Sequence, residues 1–219
     1  MSRGYNSKSA LDLIVSHYQL SKAERVLIYR TVFPYNIAKQ RISKTVCKKE
    51  LKGKNIVIDG FNVSSVVSSA LRAELLIEGI DYFIRDLAAL TRKVKVDNRQ
   101  YLATYIILRH LEPLKPHKAI FVFDAQVSRS AYAKVTVEKL LEIFNICGEV
   151  VLAKKADKKL MNYAGYIVCS ADSLLLDRAA SLFDLGGYIA RRLKTGKILS
   201  MPALIHKESK RVREELYYA

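Results

Sequence analysis

Four short apolar runs, each followed by an acid, constrain the fold more than any other feature of this sequence. Asn55-Ile56-Val57-Ile58 closes on Asp59-Gly60, and Ala119-Ile120-Phe121-Val122-Phe123 closes on Asp124. Glu149-Val150-Val151-Leu152-Ala153 leads through Lys154 and Lys155 to Asp157, and Tyr166-Ile167-Val168-Cys169 leads through Ser170-Ala171 to Asp172. Unbroken apolar runs of this length, bounded by turn residues, are the pattern of strands buried on both faces. A weaker run, Gly187-Tyr188-Ile189-Ala190, suggests a fifth strand. Helical periodicity fills the gaps at 97–111, 129–146 and 173–184. Strands alternating with helices pair in parallel through right-handed crossovers. The expected class is therefore α/β, a three-layer build around a central, mostly parallel sheet.

Parallel strands point the same way, so the acids that follow them gather at one edge, where ligands of open α/β sheets bind. Asp59, Asp124, Asp157 and Asp172 are thus expected to share a pocket. Carboxylates so placed repel and raise one another's pKa unless a cation sits between them. Hard divalent ions, Mg²⁺ or Mn²⁺, suit such oxygen donors and also meet substrate phosphates. A single Asp after a strand is equally an ordinary turn former, and Asp172 ahead of an apolar run is a natural helix N-cap. Four in register is the more specific pattern.

The rest of the composition runs against an acidic site. The chain carries 37 Lys and Arg against 21 Asp and Glu, a net +16, which favours a polyanionic partner, nucleic acid above all. More than half of the excess lies in residues 1–55. Metals held by aspartates, with a phosphodiester drawn in by the basic charge, suit hydrolysis by in-line displacement. Competing chemistries lack their motifs: there is no GxxxxGK[ST], GxGxxG or GxSxG, and His17, His110, His117 and His206 show no ligand spacing. The 3 cysteines lie far apart without a CxxC pair, which excludes a disulfide framework and a zinc ribbon. No run approaches the roughly 18 apolar residues of a membrane span. The opening residues lack the apolar core of a secretory signal, so the expected location is cytoplasmic.

Before the strands, residues 7–31 read as two amphipathic helices, the second opened by a capping box of Ser21 and Glu24. Residues 36–54, with Lys39, Arg41, Lys44, Lys48, Lys49, Lys52 and Lys54, read as an exposed basic arm or a third helix. The domain plan is then a basic helical extension at 1–53, the α/β domain at 54–200, and a polar helical tail at 201–219.

Ile56-Val57-Ile58-Asp59-Gly60-Phe61-Asn62-Val63 resembles the opening strand of PIN-like nucleases, particularly the NYN-type branch with its Asp-Gly-x-Asn turn. Val168-Cys169-Ser170-Ala171-Asp172-Ser173 is similar to that branch's Ser-x-Asp signature, and Lys155-Ala156-Asp157 to the acid before it. Arg3-Gly4-Tyr5, Arg85-Asp86 and the run from Asp124 to Ser130 extend the resemblance over nearly the full length, to a prokaryotic PIN-like family. It implies a PIN-like fold and a divalent-metal-dependent endoribonuclease acting on RNA; PIN-like domains often pair, so a homodimer is compatible with it. The rivals are a non-catalytic RNA-binding module and a protein-interaction scaffold.

On this reading Asp59 and Asp172 are direct metal ligands, joined by Asp157 and Asp124. Many NYN-type enzymes carry a second acid where this chain has Leu174, and Asp177 is the candidate substitute. Asn62 either holds the turn after the first strand or orients a water on the metal. Ser170 steadies a neighbouring carboxylate by hydrogen bonding. Ser128 and Arg129 can present a hydroxyl and a guanidinium to phosphate at a helix N-terminus, or Ser128 or Ser130 simply caps that helix. Lys154, Lys155, Lys158 and Lys159 attract the RNA backbone, or are solvated surface charges. Arg85 contacts nucleic acid or pairs with Asp86 to pin a loop. Exposed tyrosines such as Tyr132 or Tyr163 can stack on unpaired bases, so single-stranded RNA is the expected substrate.

Overall fold

Asn6 opens the first helix, its side-chain oxygen accepting from the backbone N–H of Lys8 at 2.9 Å, and α1 spans Ser7–His17. Ser21 and Glu24 close the reciprocal capping box that their spacing implies, starting α2 (Lys22–Thr31). Pro34 stands at the cap of α3 (Tyr35–Ser43), so the basic segment begins as a helix, and a 3₁₀ turn follows at Lys48–Leu51. The computed structural model describes residues 6–87, 98–195 and 197–205.

All four apolar runs form strands of one parallel sheet. Its order is β5 (Gly148–Ala153), β4 (Lys118–Asp124), β1 (Asn55–Asp59) and β6 (Ile167–Cys169). Pleat alternation sorts their side chains between two cores. Ile56, Ile58, Phe121, Phe123 and Cys169 face one layer. That layer is α4 (Gly60–Leu71), α5 (Asn98–Leu111), α6 (Ser130–Ile143) and α9 (Leu185–Leu193). Val57, Ile120, Val122 and Val168 face the other, against Leu160 of α7 (Ala156–Met161) and Leu175 and Leu176 of α8 (Ser173–Arg178). The architecture is a three-layer α/β fold. Helix α4 starts directly from β1 because residue 60 is glycine: the Phe123 ring occupies the space a Cβ would need.

Three expectations are corrected. Gly187–Ala190 is not a strand but part of α9, where Asp184 Oδ1 accepts from the Gly187 N–H at 2.9 Å and Leu185, Tyr188 and Ile189 meet the core at helical spacing. A four-residue apolar run does not by itself distinguish the two periods. The helix read over 173–184 ends at Arg178, and Leu182 instead bridges to Thr45 and Val168. A second sheet, absent from the sequence reading, joins β2 (Leu76–Glu78) to an antiparallel β3 (Ile84–Asp86) and a parallel β7 (Ile198–Ser200). Of the expected tail, α10 (Met201–Ile205) is described and residues 206–219 lie outside the described residues. Among the described residues no helix is long and apolar enough to cross a membrane.

Candidate functional site

Strand register sets the geometry of the acidic edge. Ile58 pairs with Cys169 and Asp59 with Val122, so Ser170 stands one step past β6, level with Asp59, while Asp124 lies two residues further along β4. Two residues restore the same side of the pleat, so Asp59 and Asp124 share the face of Val57 and Val122, the face covered by α7 and α8. Asp157 lies in the first turn of α7, and Asp172 is the N-cap of α8, its Oδ1 accepting from the Leu174 N–H at 2.8 Å. The cap reading and the edge placement of Asp172 hold together.

Asp59 is the buried member, 9% exposed. Its Oδ2 accepts from the Ser170 hydroxyl at 2.9 Å and its Oδ1 from the Asn62 N–H at 3.3 Å. Ser170 Oγ in turn accepts from the Asp172 N–H at 3.1 Å, so one hydroxyl ties two of the acid positions together. Burial pushes the Asp59 carboxyl up to about 7, against the pull of these hydrogen bonds and with the charges of Asp172 and Asp157 adding to the rise. Asp157 is raised as well, first by partial burial and then by Asp172 and Asp124. The four acids therefore sense one another across a single edge, and among the described residues none of them is in an ion pair. They are less crowded than the sequence implied: among the described residues no three His, Cys, Asp or Glu side chains are gathered into a metal-holding group. The donor set itself, all carboxylate oxygen with an uncompensated buried member, fits a hard divalent ion.

Asn62 holds the turn in a way the sequence left open. Its Oδ1 accepts from the Ala171 N–H at 2.8 Å, pinning the loop that carries Asp172 to the first turn of α4. Ala171 is 3% exposed, so Asn62→Ala strands a buried donor. We expect thermal unfolding to show a loss of about 1–3 kcal/mol; a change within about 0.5 kcal/mol, the size of an ordinary surface substitution, would mean that the loop is held by other contacts.

The remaining candidates divide. A groove of about 530 Å³ is lined by Asp124, Asp157, Lys154, Lys155, Lys158 and Arg178, which brings the basic cluster to the acidic edge. Lys159 turns aside, its Nζ lying 5.4 Å from the Tyr163 ring centroid. Arg129 takes a left-handed backbone at the N-cap of α6 without a side-chain cap; Ser128 is exposed beside it, and the Ser130 hydroxyl donates to the Ala125 carbonyl at 3.4 Å rather than capping. Asp177 is drawn away from the edge, its Oδ1 accepting from Arg41 Nε at 2.7 Å. Arg85 is a correction too. It is 2% exposed and pairs not with Asp86, its neighbour on β3, but with Asp81, at 2.8 and 2.7 Å. Successive strand residues face opposite ways, so Arg85 and Asp86 cannot share a partner side.

Arg85 instead supports the site from beneath. Its Nε donates to the Ala171 carbonyl at 3.1 Å, and Arg41 of α3 donates to the same Asp81 at 2.7 Å. The Phe33 ring covers both guanidiniums, 4.1 Å from that of Arg41 and 5.2 Å from that of Arg85. Burial would raise the Asp81 carboxyl, but the two arginines reverse this and hold it below the ordinary range. Sequence reasoning also missed Arg30 of α2, which donates to the Asp86 carbonyl at 3.3 Å and is close enough for Asp172 to act on its charge. The basic excess of the first residues was the only signal for it. The helical extension thus reaches the helix that Asp172 caps, with Arg41 donating to the Ser173 carbonyl at 3.5 Å.

Two family models match the chain. A family model described as "Domain of unknown function (DUF5616)" matches residues 48–188, and one described as "Protein of unknown function (DUF434)" matches residues 1–44. A protein of Methanocaldococcus jannaschii named "Uncharacterized protein MJ0935" is 31% identical over 176 residues, covering 80% of this chain and 83% of its own length. No solved structure matches the chain.

Proposed function

We propose that this chain, which belongs to the DUF5616 family, is a metal-dependent ribonuclease of PIN-like type that hydrolyses RNA phosphodiester bonds in the cytoplasm. The observation that carries the reading is Asp59: a buried carboxyl at the end of a central strand, pushed up to about 7, with two further acids acting on its charge and no cation paired to it among the described residues. Such a group is costly to keep and gains from a divalent ion. Asp59 and Asp172 would hold Mg²⁺ or Mn²⁺, with Asp157 and Asp124 completing the donor set. The bound ion supplies Lewis acidity, activating water and neutralising charge on the phosphoryl oxygens. The protein's own part is positional. The Ser170 hydroxyl fixes the Asp59 carboxylate, Asn62 fixes the loop of Asp172, and Lys154, Lys155 and Lys158 draw the phosphate backbone to the edge.

The test is cleavage of an end-labelled single-stranded RNA with Mn²⁺ or Mg²⁺ and with EDTA. Cleavage that depends on the metal and is lost by at least about a hundredfold in EDTA supports the reading. Equal rates in the two conditions would refute it. The second reading, a non-catalytic RNA-binding module of the same fold, is favoured by the open spacing of the four acids. It requires salt-sensitive retention of the RNA without cleavage under any metal condition.

A further inference from the structure

The opposite end of the sheet carries a second, purely basic feature. Lys48, Lys49 and Lys52 immediately precede β1, and Arg109 comes from the end of α5, shortly before β4. With Arg192 of α9 they line a groove of about 800 Å³ that has no acidic residue in its lining. It lies at the N-terminal edge of the strands, whereas Asp59 and Asp124 lie at the C-terminal edge. The 5 residues of β1 separate the two by roughly 15 Å.

Lys49, Lys52 and Arg192 of this groove are exposed, and Lys48 is partly so. The one acid between the lysines, Glu50, is turned back to accept from the Cys47 N–H at 2.7 Å. Arg192 is stacked on the Tyr188 ring with its guanidinium 4.5 Å from the centroid, which orders the charge without neutralising it. Among the described residues, Arg109 is the one groove cation in an ion pair, with Glu112 at 2.9 Å on the exposed rim. Tyr188 and Leu114 at the floor are 6% and 9% exposed, so no ring is presented for bases to stack on. A row of like charges over an apolar floor recognises phosphate rather than base.

We propose that this groove is a docking surface for the sugar–phosphate backbone of RNA, separate from the acidic edge and indifferent to sequence. RNA is preferred to a small phosphate ligand because five cations line a groove of about 800 Å³, far more space than a single phosphate fills. The identity of the occupant rests on the RNA reading above, but not on catalysis.

The experiment is equilibrium binding of a fluorescein-labelled single-stranded 20-mer to the full chain in EDTA, read by anisotropy between low and moderate salt. Each cation contacting a single-stranded phosphate contributes about 0.7 to the slope of log affinity against log salt. Lys49→Ala/Lys52→Ala/Arg192→Ala should lower the slope by about 2 and weaken binding at low salt by at least about tenfold. Lys8→Ala/Lys22→Ala/Lys139→Ala removes the same charge from other exposed positions and should change the slope by less than about 0.5. All five exposed lysines and Arg192 lie on the surface, and unchanged circular dichroism identifies folded protein. Equal effects of the two triple variants would overturn the proposal, as would equal affinity of inorganic tripolyphosphate and the 20-mer for the wild type. Because no metal is present, these outcomes are independent of the cleavage test; a chain that fails to cleave but passes here keeps the groove and loses only the catalytic reading.

Discussion

Asp59→Asn abolishes metal-dependent RNA cleavage, by about 10³-fold or more, while leaving affinity for RNA in EDTA nearly unchanged. The amide keeps the shape of the carboxylate and can still accept one of its two hydrogen bonds, so the fold is retained. The same variant carries a stability signature that a normally ionising aspartate would not give. In the unfolded chain the carboxyl ionises near its ordinary 3.8, whereas in the folded chain it keeps its proton to about 7. Between those values the native state binds more protons than the unfolded one, so wild-type stability falls as pH rises from about 4 to about 7 and is level above it. The difference corresponds to something on the order of 4 kcal/mol for a group this buried. Asp59→Asn removes that slope and should be more stable than the wild type at pH 8 in EDTA, and less distinguishable from it at pH 4. Melting curves for the two proteins that run parallel across this range would show that Asp59 ionises normally, and would take away the reason for placing a cation there.

Asp81→Ala is expected to be strongly destabilising. Asp81 is fully buried and accepts three hydrogen bonds from two arginines, each of which is 2% exposed. Removing it leaves two guanidiniums in the interior with Asp177 and a few carbonyls as their remaining partners. Breaking a buried ion pair from one side costs about 3–5 kcal/mol, because the surviving charge has lost its compensation. For a chain of this size that is a fall in Tm of roughly 10 °C. The loop of Asp172 should loosen at the same time, since Arg85 reaches the Ala171 carbonyl. Amide exchange at Ala171 and Asp172 that rises beyond the global loss of stability is the readout of that coupling. A variant with wild-type Tm would show that the network is not what holds the extension in place.

The four strands of the main sheet were legible because burial on both faces leaves a continuous apolar run closed by turn residues. Once their direction was known, the acids had to share an edge, and pleat parity places Asp59 and Asp124 on one side of it. Ser21 with Glu24 was legible for a different reason: a capping box is a local interaction, complete within four residues. What escaped was long-range. Arg85 and Asp86 are adjacent in sequence and read as partners, but the charge that Arg85 needs is Asp81, in the turn between β2 and β3, which it shares with Arg41 from 40 residues away. Arg41 read as one more solvated cation of a basic segment and is instead a core residue. The second sheet was missed because its three strands are 3 residues each, too short to show a period. The four-residue run at 187–190 failed for the same lack of length.

The shared counter-charge at Asp81 also makes one stretch of the chain depend on the other. One of its two arginines arrives from the front stretch, the other from the stretch behind it, and the aromatic cover over both belongs to the front. Without the front stretch the Asp81–Arg85 pair would keep its own two hydrogen bonds but lose its second arginine and its aromatic cover, and would stand open to water. The front stretch therefore completes the interior of the sheet domain rather than decorating its surface.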